Sequence, residues 1–112
     1  MIRQTIYEMC NAICPTYGIG QIAGTLKEDT FILERNMDLI SVGNSLGGWN
    51  RWSVYIYSPK SPLQVDILAE TLKKAVNING YELINIVEGD NWDSSYKCYF
   101  TRLTFRTPKT IN

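Results

Sequence analysis

The segment from Ser61 to Gly80 limits the possible folds more than any other part of the chain. Ser61 is a good N-cap, Pro62 suits the first helical position, and Gln64 stands where a capping box requires it. Leu68, Leu72, Ala75 and Val76 then recur on one helical face, flanked by Val65 and Ala69. Asn79-Gly80 supplies a left-handed stop. Runs of period two bracket this helix. Before it, Arg51 to Tyr57 reads as a strand in which Trp52, Val54 and Ile56 point one way. Arg51, Ser53, Tyr55 and Tyr57 point the other, and Ser58-Pro59-Lys60-Ser61-Pro62 stops the run. After it, Tyr81 to Val87 and Tyr96 to Arg106 read as strands joined by the polar loop Glu88 to Ser95. A helix with one apolar face set between such strands packs on the sheet they make.

A second helix is predicted at the N-terminus, where Ile2, Ile6, Met9, Cys10 and Ile13 share one stripe until Pro15 ends it. Thr16 to Gly20 reads as a loop. Gln21 to Ile40 looks strand-like, most clearly at Thr30-Phe31-Ile32-Leu33, and Ser41 to Gly48 is rich in turn residues. The last strand carries a conflict of phase. Tyr96, Cys98 and Phe100 share one face, whereas Leu103 and Phe105 occupy the other; a bulge near Thr101 or burial on both faces resolves it. The expectation is a single α+β domain over residues 1–112, with two helices packed on a mostly antiparallel sheet. A chain of 112 residues, 45% hydrophobic, suits one modest core that buries roughly two-thirds of the unfolded surface.

Composition then removes several kinds of chemistry. The chain has no histidine, which excludes Ser-His-Asp and Cys-His nucleophiles, HExxH zinc sites and imidazole acid–base work. Eleven Lys and Arg balance eleven Asp and Glu, without the basic excess of a dedicated nucleic-acid binder. The three cysteines, Cys10, Cys14 and Cys98, fit a reduced compartment better than a disulfide framework. Cys10 and Cys14 are four apart and can share a helix face, but a zinc site would need a carboxylate or another chain. Small buried apolar side chains are the expected role of these thiols. Met9 to Leu26 is uncharged over eighteen residues, but Pro15, Gly18, Gly20 and Gly24 interrupt it as a span. Gln4, Thr5 and Glu8 break any apolar leader near the N-terminus. A soluble protein, intracellular where it is made, is expected.

No motif points to a cofactor. Gly18 to Gly24 has the wrong spacing for a dinucleotide fingerprint and follows a helix instead of a strand. Gly43 to Gly48 lacks the Gly-Lys-Ser/Thr ending of a phosphate loop. Asp90 and Asp93, with Glu82 and Glu88, form an acidic stretch without EF-hand spacing, better read as a solvated loop than as a calcium or magnesium site. Lys97, Arg102, Arg106 and Lys109 form the opposite stretch, free of acids. The two either neutralise each other within the hairpin or meet across subunits. Trp49-Asn50-Arg51-Trp52 is the most informative cluster, because Trp and Arg are enriched at interface hot spots. With Tyr55, Tyr57 and Tyr99 it can also stack single-stranded nucleic acid, although the neutral charge leaves the backbone unmatched.

Gly47-Gly48-Trp49-Asn50-Arg51-Trp52, followed by a strand ending Tyr57-Ser58-Pro59 and a capped helix, resembles the tail terminator and head–tail joining proteins of long-tailed bacteriophages and related phage-tail-like particles. The aromatic, basic strand from Tyr96 to Lys109 adds to the likeness, which is best from Trp49 to Lys109. The resemblance implies a small α+β subunit without catalytic activity or cofactor, closing into a ring, commonly a hexamer. Such a ring caps the head-proximal end of the tail tube. Its implied partners are further copies of itself, the tail tube protein and the neck or connector proteins, with DNA passing through the ring and no membrane involved. The implied location is the virion or a headless particle assembled in the bacterial cytoplasm. Trp49, Arg51, Trp52, Asp90, Asp93, Arg102 and Arg106 are the expected interface residues. The alternatives are a head-completion or stopper protein of the neck, and a small ligand- or metal-binding module using the Asp90/Asp93 loop.

Overall fold

In a computed structural model, which describes residues 2–38, 49–87 and 89–108, the chain runs α1 (Ile2–Asn11), β1 (Thr16–Gly18), β2 (Thr30–Asp38), β3 (Trp49–Ser58), α2 (Pro62–Ile78), β4 (Glu82–Ile86), β5 (Asn91–Asp93) and β6 (Cys98–Pro108). The six strands make one sheet in the order β1-β2-β3-β6-β4, with β5 also against β6. Only β1 and β2 pair in parallel. This is the expected α+β domain. None of its helices, among the described residues, is long and apolar enough to cross a membrane.

α2 forms for the reasons its sequence gives. The Ser61 hydroxyl accepts from the Gln64 backbone N–H at 3.1 Å, Pro62 opens the helix, and Gly80 follows Asn79 at φ +75, a conformation that favours glycine. The capping box is only half made. Gln64 turns its amide to Asp29, at 2.8 Å from Nε2 to Oδ2, instead of back to Ser61. The same carboxylate accepts from the Ser58 hydroxyl at 2.7 Å and lies 3.5 Å from Lys60 Nζ. Asp29 therefore ties the entry of β2 to the end of β3 and the first turn of α2.

β3 and β4 run parallel with β6 between them, so the α2 crossover lays one helix over one face of the sheet. Val65, Leu68, Ala69, Leu72 and Val76 of α2 meet Phe31, Leu33, Trp52, Val54, Ile56, Leu103 and Phe105, and Ile6, Cys10 and Cys14 close the N-terminal side. On the opposite face, the apolar cover among the described residues is concentrated at one end. There residues 19–29 cross the sheet, and Leu26, Ile32, Tyr57 and Cys98 pack with Ile22, Tyr55, Tyr96 and Phe100. The Tyr96 hydroxyl donates to the Ile22 carbonyl at 3.1 Å, and the Leu26 N–H to the Tyr96 carbonyl at 3.0 Å.

Several expectations are corrected. Thr16–Gly18 is a short strand, not a loop, held in parallel to Phe31–Leu33. Of the strand-like stretch Gln21 to Ile40, the described part becomes strand only from Thr30. Gly20 and Gly24, at φ +79 and +85, turn the chain earlier, and Ile22 and Leu26 serve the cover. The polar loop after β4 contains β5, which pairs with Cys98–Phe100. The phase conflict in β6 is resolved by burial on both faces. Cys98 and Phe100 join the smaller cluster, Leu103 and Phe105 the main core, and the bulge lies instead in β4 between Leu83 and Asn85. The turn-rich Ser41 to Gly48 lies outside the described residues.

Because three donors converge on one carboxylate, Asp29→Ala should lower the unfolding free energy by about 1–3 kcal/mol in urea titration. A loss below about 0.5 kcal/mol would remove Asp29 from this organising role.

Candidate interface site

The strand phases sort the expected interface residues before any chemistry is considered. Trp52 alternates inward with Val54 and Ile56 and is fully buried. Its indole N–H donates to the Thr107 hydroxyl at 3.1 Å, and the guanidinium carbons of Arg3 and Arg35 stand 5.8 and 5.6 Å from the ring centroid. Trp52 is thus a core residue with cationic caps, and its assignment to an interface is corrected: a side chain with no exposed surface cannot touch a partner. Arg51, its neighbour, is exposed on the other face, opposite Asn36 and Arg106 in register. Trp49 opens β3, paired with Asp38 and Pro108; its side chain lies outside the described residues.

The charged residues divide in the same way. Arg106 Nε donates to Glu82 Oε2 at 2.7 Å across β6 and β4, so this pair is neutralised inside the hairpin. Asp93 is spent on the turn between β5 and β6. Its Oδ1 accepts from the Ser95 and Tyr96 N–H groups at 2.8 and 2.9 Å, and Lys97 then takes a left-handed φ of 56. Asp90 is exposed and lines a cleft of about 340 Å³ between α2 and the β4 edge, with Asp66 and Glu70. Glu88 and Lys109 lie outside the described residues.

Arg102 differs from all of these. It projects from β6 onto the partly covered face, opposite Tyr55, and its Nε is buried without an acceptor among the described residues. Tyr55, Val87 and Phe100 surround it in a hollow of about 200 Å³. Beside it, Ser53 and Thr104 form a hydroxyl pair at 3.3 Å, and both are buried. The hollow is therefore lined by two aromatic rings, Val87 and a guanidinium whose buried Nε has no acceptor among the described residues.

The far side of the molecule carries surface residues that no motif signals. Leu63 and Ile67, four apart on the outer face of α2, are 67% and 50% exposed, with Asp66 and Glu70 beside them. Their signal was present in the helix itself, as apolar residues outside the core stripe. Trp92 is likewise exposed on β5, its ring edge-on to Tyr99 at 4.9 Å.

The thiols are buried and protonated. Burial, and then the neighbouring Cys14, pushes Cys10 up to about 12, and burial, followed by Asp29 and Glu28, does the same to Cys14. Cys98 is raised by burial and by Asp93 and Asp29. A thiol held protonated is neither a nucleophile nor a metal ligand near neutrality. Among the described residues, no three Cys, Asp or Glu side chains gather as a metal site would require. No family model matches the chain, and no curated protein is significantly similar to it in sequence.

Trp52→Ala should cost about 3–5 kcal/mol of stability, whereas Arg51→Ala should cost about 1 kcal/mol or less by the same denaturation measurement. Equal losses would contradict the opposite orientations of the two side chains. The raised thiols make a second prediction. Their folded-state values lie above the ordinary 9.0, so their contribution is complete below that pH and declines as pH rises towards about 12. Stability followed from pH 7 upward should hold to about pH 8 and then fall, and a Cys10→Ala/Cys14→Ala variant should show a shallower decline.

Proposed function

We propose that the protein is a structural subunit that self-associates into a ring, of hexamer size, and caps the head-proximal end of a phage-type tail tube. The observation that supports this reading best is the pair of unlike faces on one small sheet. One side offers an aromatic platform with Arg102, and the other offers an apolar and acidic helix surface on α2. A ring built head to tail needs two different, complementary faces on every subunit, and a platform of this kind asks for docking instead of turnover. The strand-and-helix pattern that resembles tail terminators runs through β3, α2 and β6, the elements that create both faces.

In this reading the partners are further copies of the chain, the tail tube protein on one side of the ring and neck proteins on the other. DNA passes through the bore, and the protein resides in the virion or a headless tail particle. Association, not catalysis, is the activity.

Electron microscopy of the purified protein mixed with tail tubes should show capped ends or free discs. Replacing Trp49 or Arg51 with Ala should reduce capping while circular dichroism stays that of a folded domain. A protein that neither associates nor binds tube ends would overturn the reading. Unchanged capping in both variants would remove Trp49 and Arg51 from the contact.

A further inference from the structure

We infer that the hollow around Arg102 receives the outer face of α2 from a second copy of the chain, with Leu63 and Ile67 as its apolar part and Asp66 and Glu70 as its carboxylates. The ring reading is needed only for the closure of such contacts, not for the contact itself.

Four observations converge on this occupant. The Arg102 hollow is apolar on three sides, formed by Tyr55, Val87 and Phe100, and about 200 Å³ in volume, a space suited to an aliphatic side chain. At its edge the buried Nε of Arg102 has no acceptor among the described residues, and a buried donor of this kind calls for one. A docking segment must therefore bring an aliphatic side chain and a carboxylate together. The outer face of α2 does so: Leu63 and Ile67 are four apart, as are Asp66 and Glu70, and all four are exposed. At that spacing the two pairs lie side by side on neighbouring rows of one helix.

The charge relation is complementary in sign at Asp66 and Glu70, with exposed Lys74 one turn beyond Glu70 on the same face. Arg102 stands on the face of the sheet away from α2, whereas Asp66 and Glu70 flank the outer apolar pair and border the cleft between α2 and the β4 edge. Among the described residues, Arg102 Nε finds neither carboxylate within its own copy, whereas a second copy can bring its α2 to the hollow. Such a contact uses different surfaces on each partner, so it propagates head to tail and closes only if its rotation allows. Arg106 offers no rival anchor, because Glu82 already occupies it.

The test is a charge exchange read by analytical ultracentrifugation. Arg102→Glu and Glu70→Lys should each weaken self-association by about 30-fold or more. An equimolar mixture of the two variants should restore it, because each contact in an alternating assembly again pairs opposite charges. Leu63→Asp/Ile67→Asp, two exposed positions whose change leaves the core intact, should weaken association to a similar degree. Association of the single variants at wild-type strength, or a wild type that stays monomeric at high concentration, would overturn the inference. So would binding of a single-stranded oligonucleotide that Arg102→Glu abolishes while self-association is untouched. Tube capping is scored separately. Capping that survives Arg102→Glu would keep the proposed function and reject this contact. Charge-dependent association without capping would keep the contact and reject the tail reading.

Discussion

Ten residues of β3, Trp49–Ser58, lie opposite ten of β6, Tyr99–Pro108, in an unbroken antiparallel register. Every other assignment depends on that ladder, because side chains in a strand alternate strictly between faces. A slip of one residue would carry Trp52, Val54 and Ile56 out of the core and put Arg51, Ser53 and Tyr55 into it. Both helices pack on the face that the ladder makes apolar. The edge takes up the irregularity instead: β4 carries the bulge, and its continuation into β5 is interrupted, where the Val87 N–H still reaches the Arg102 carbonyl at 2.9 Å. Thr101 adds a side-chain hydrogen bond to the Val87 carbonyl, so the interruption is held and not frayed.

Local signals were legible where local chemistry decides the structure. The boundaries of α2 follow from Ser61, Pro62 and Gly80, and the inward set of β3 follows from its alternation. The sequence failed where a residue's role is set by something distant along the chain. Gln64 satisfies Asp29, thirty-five residues earlier, so its half of the capping box is absent for a tertiary reason. Ile22 and Leu26 resemble strand residues because they are apolar, but they cover a sheet face from a loop turned by two glycines. Trp52 shows a different failure. Its phase marked it as core, while its residue type marked it as an interface hot spot, and phase was the better guide because it reports direction.

The candidate surface was legible in composition but not in partnership. Acidic and basic stretches were visible as blocks, yet the structure assigns their members individually. Glu82 and Arg106 face each other across neighbouring strands, whereas Asp93 caps a turn. The zero formal charge of the chain is therefore the sum of charges already used inside the fold and charges left on two separate faces. Charges at the surface can steer or orient association, and they include Arg51 and Arg102 on the sheet and Asp66, Glu70 and Asp90 around the α2 cleft. The charge blocks pointed to Arg102 and Asp90 but not to Asp66 and Glu70, because exposure and pairing are tertiary properties.

Arg102 and Arg106 show how a small topological difference separates a structural charge from one available to a partner. They lie on the same strand and the same face, four residues apart. Opposite Arg106, β4 supplies Glu82. Opposite Arg102, β4 has already ended, and the chain presents Val87, an apolar side chain, before it turns away through Gly89 at φ +124. Among the described residues, Nε thus lacks an acceptor where the edge strand breaks. A buried donor left in this state costs the folded monomer about 1–3 kcal/mol, and a contact that brings a carboxylate recovers it in addition to the apolar area it covers. In the proposed contact, association would relieve that cost, and it would be selective because an apolar partner alone fills the hollow without satisfying Nε. A carboxylate alone satisfies Nε without filling the hollow. The outer face of α2 carries both, and within one copy neither carboxylate satisfies Nε.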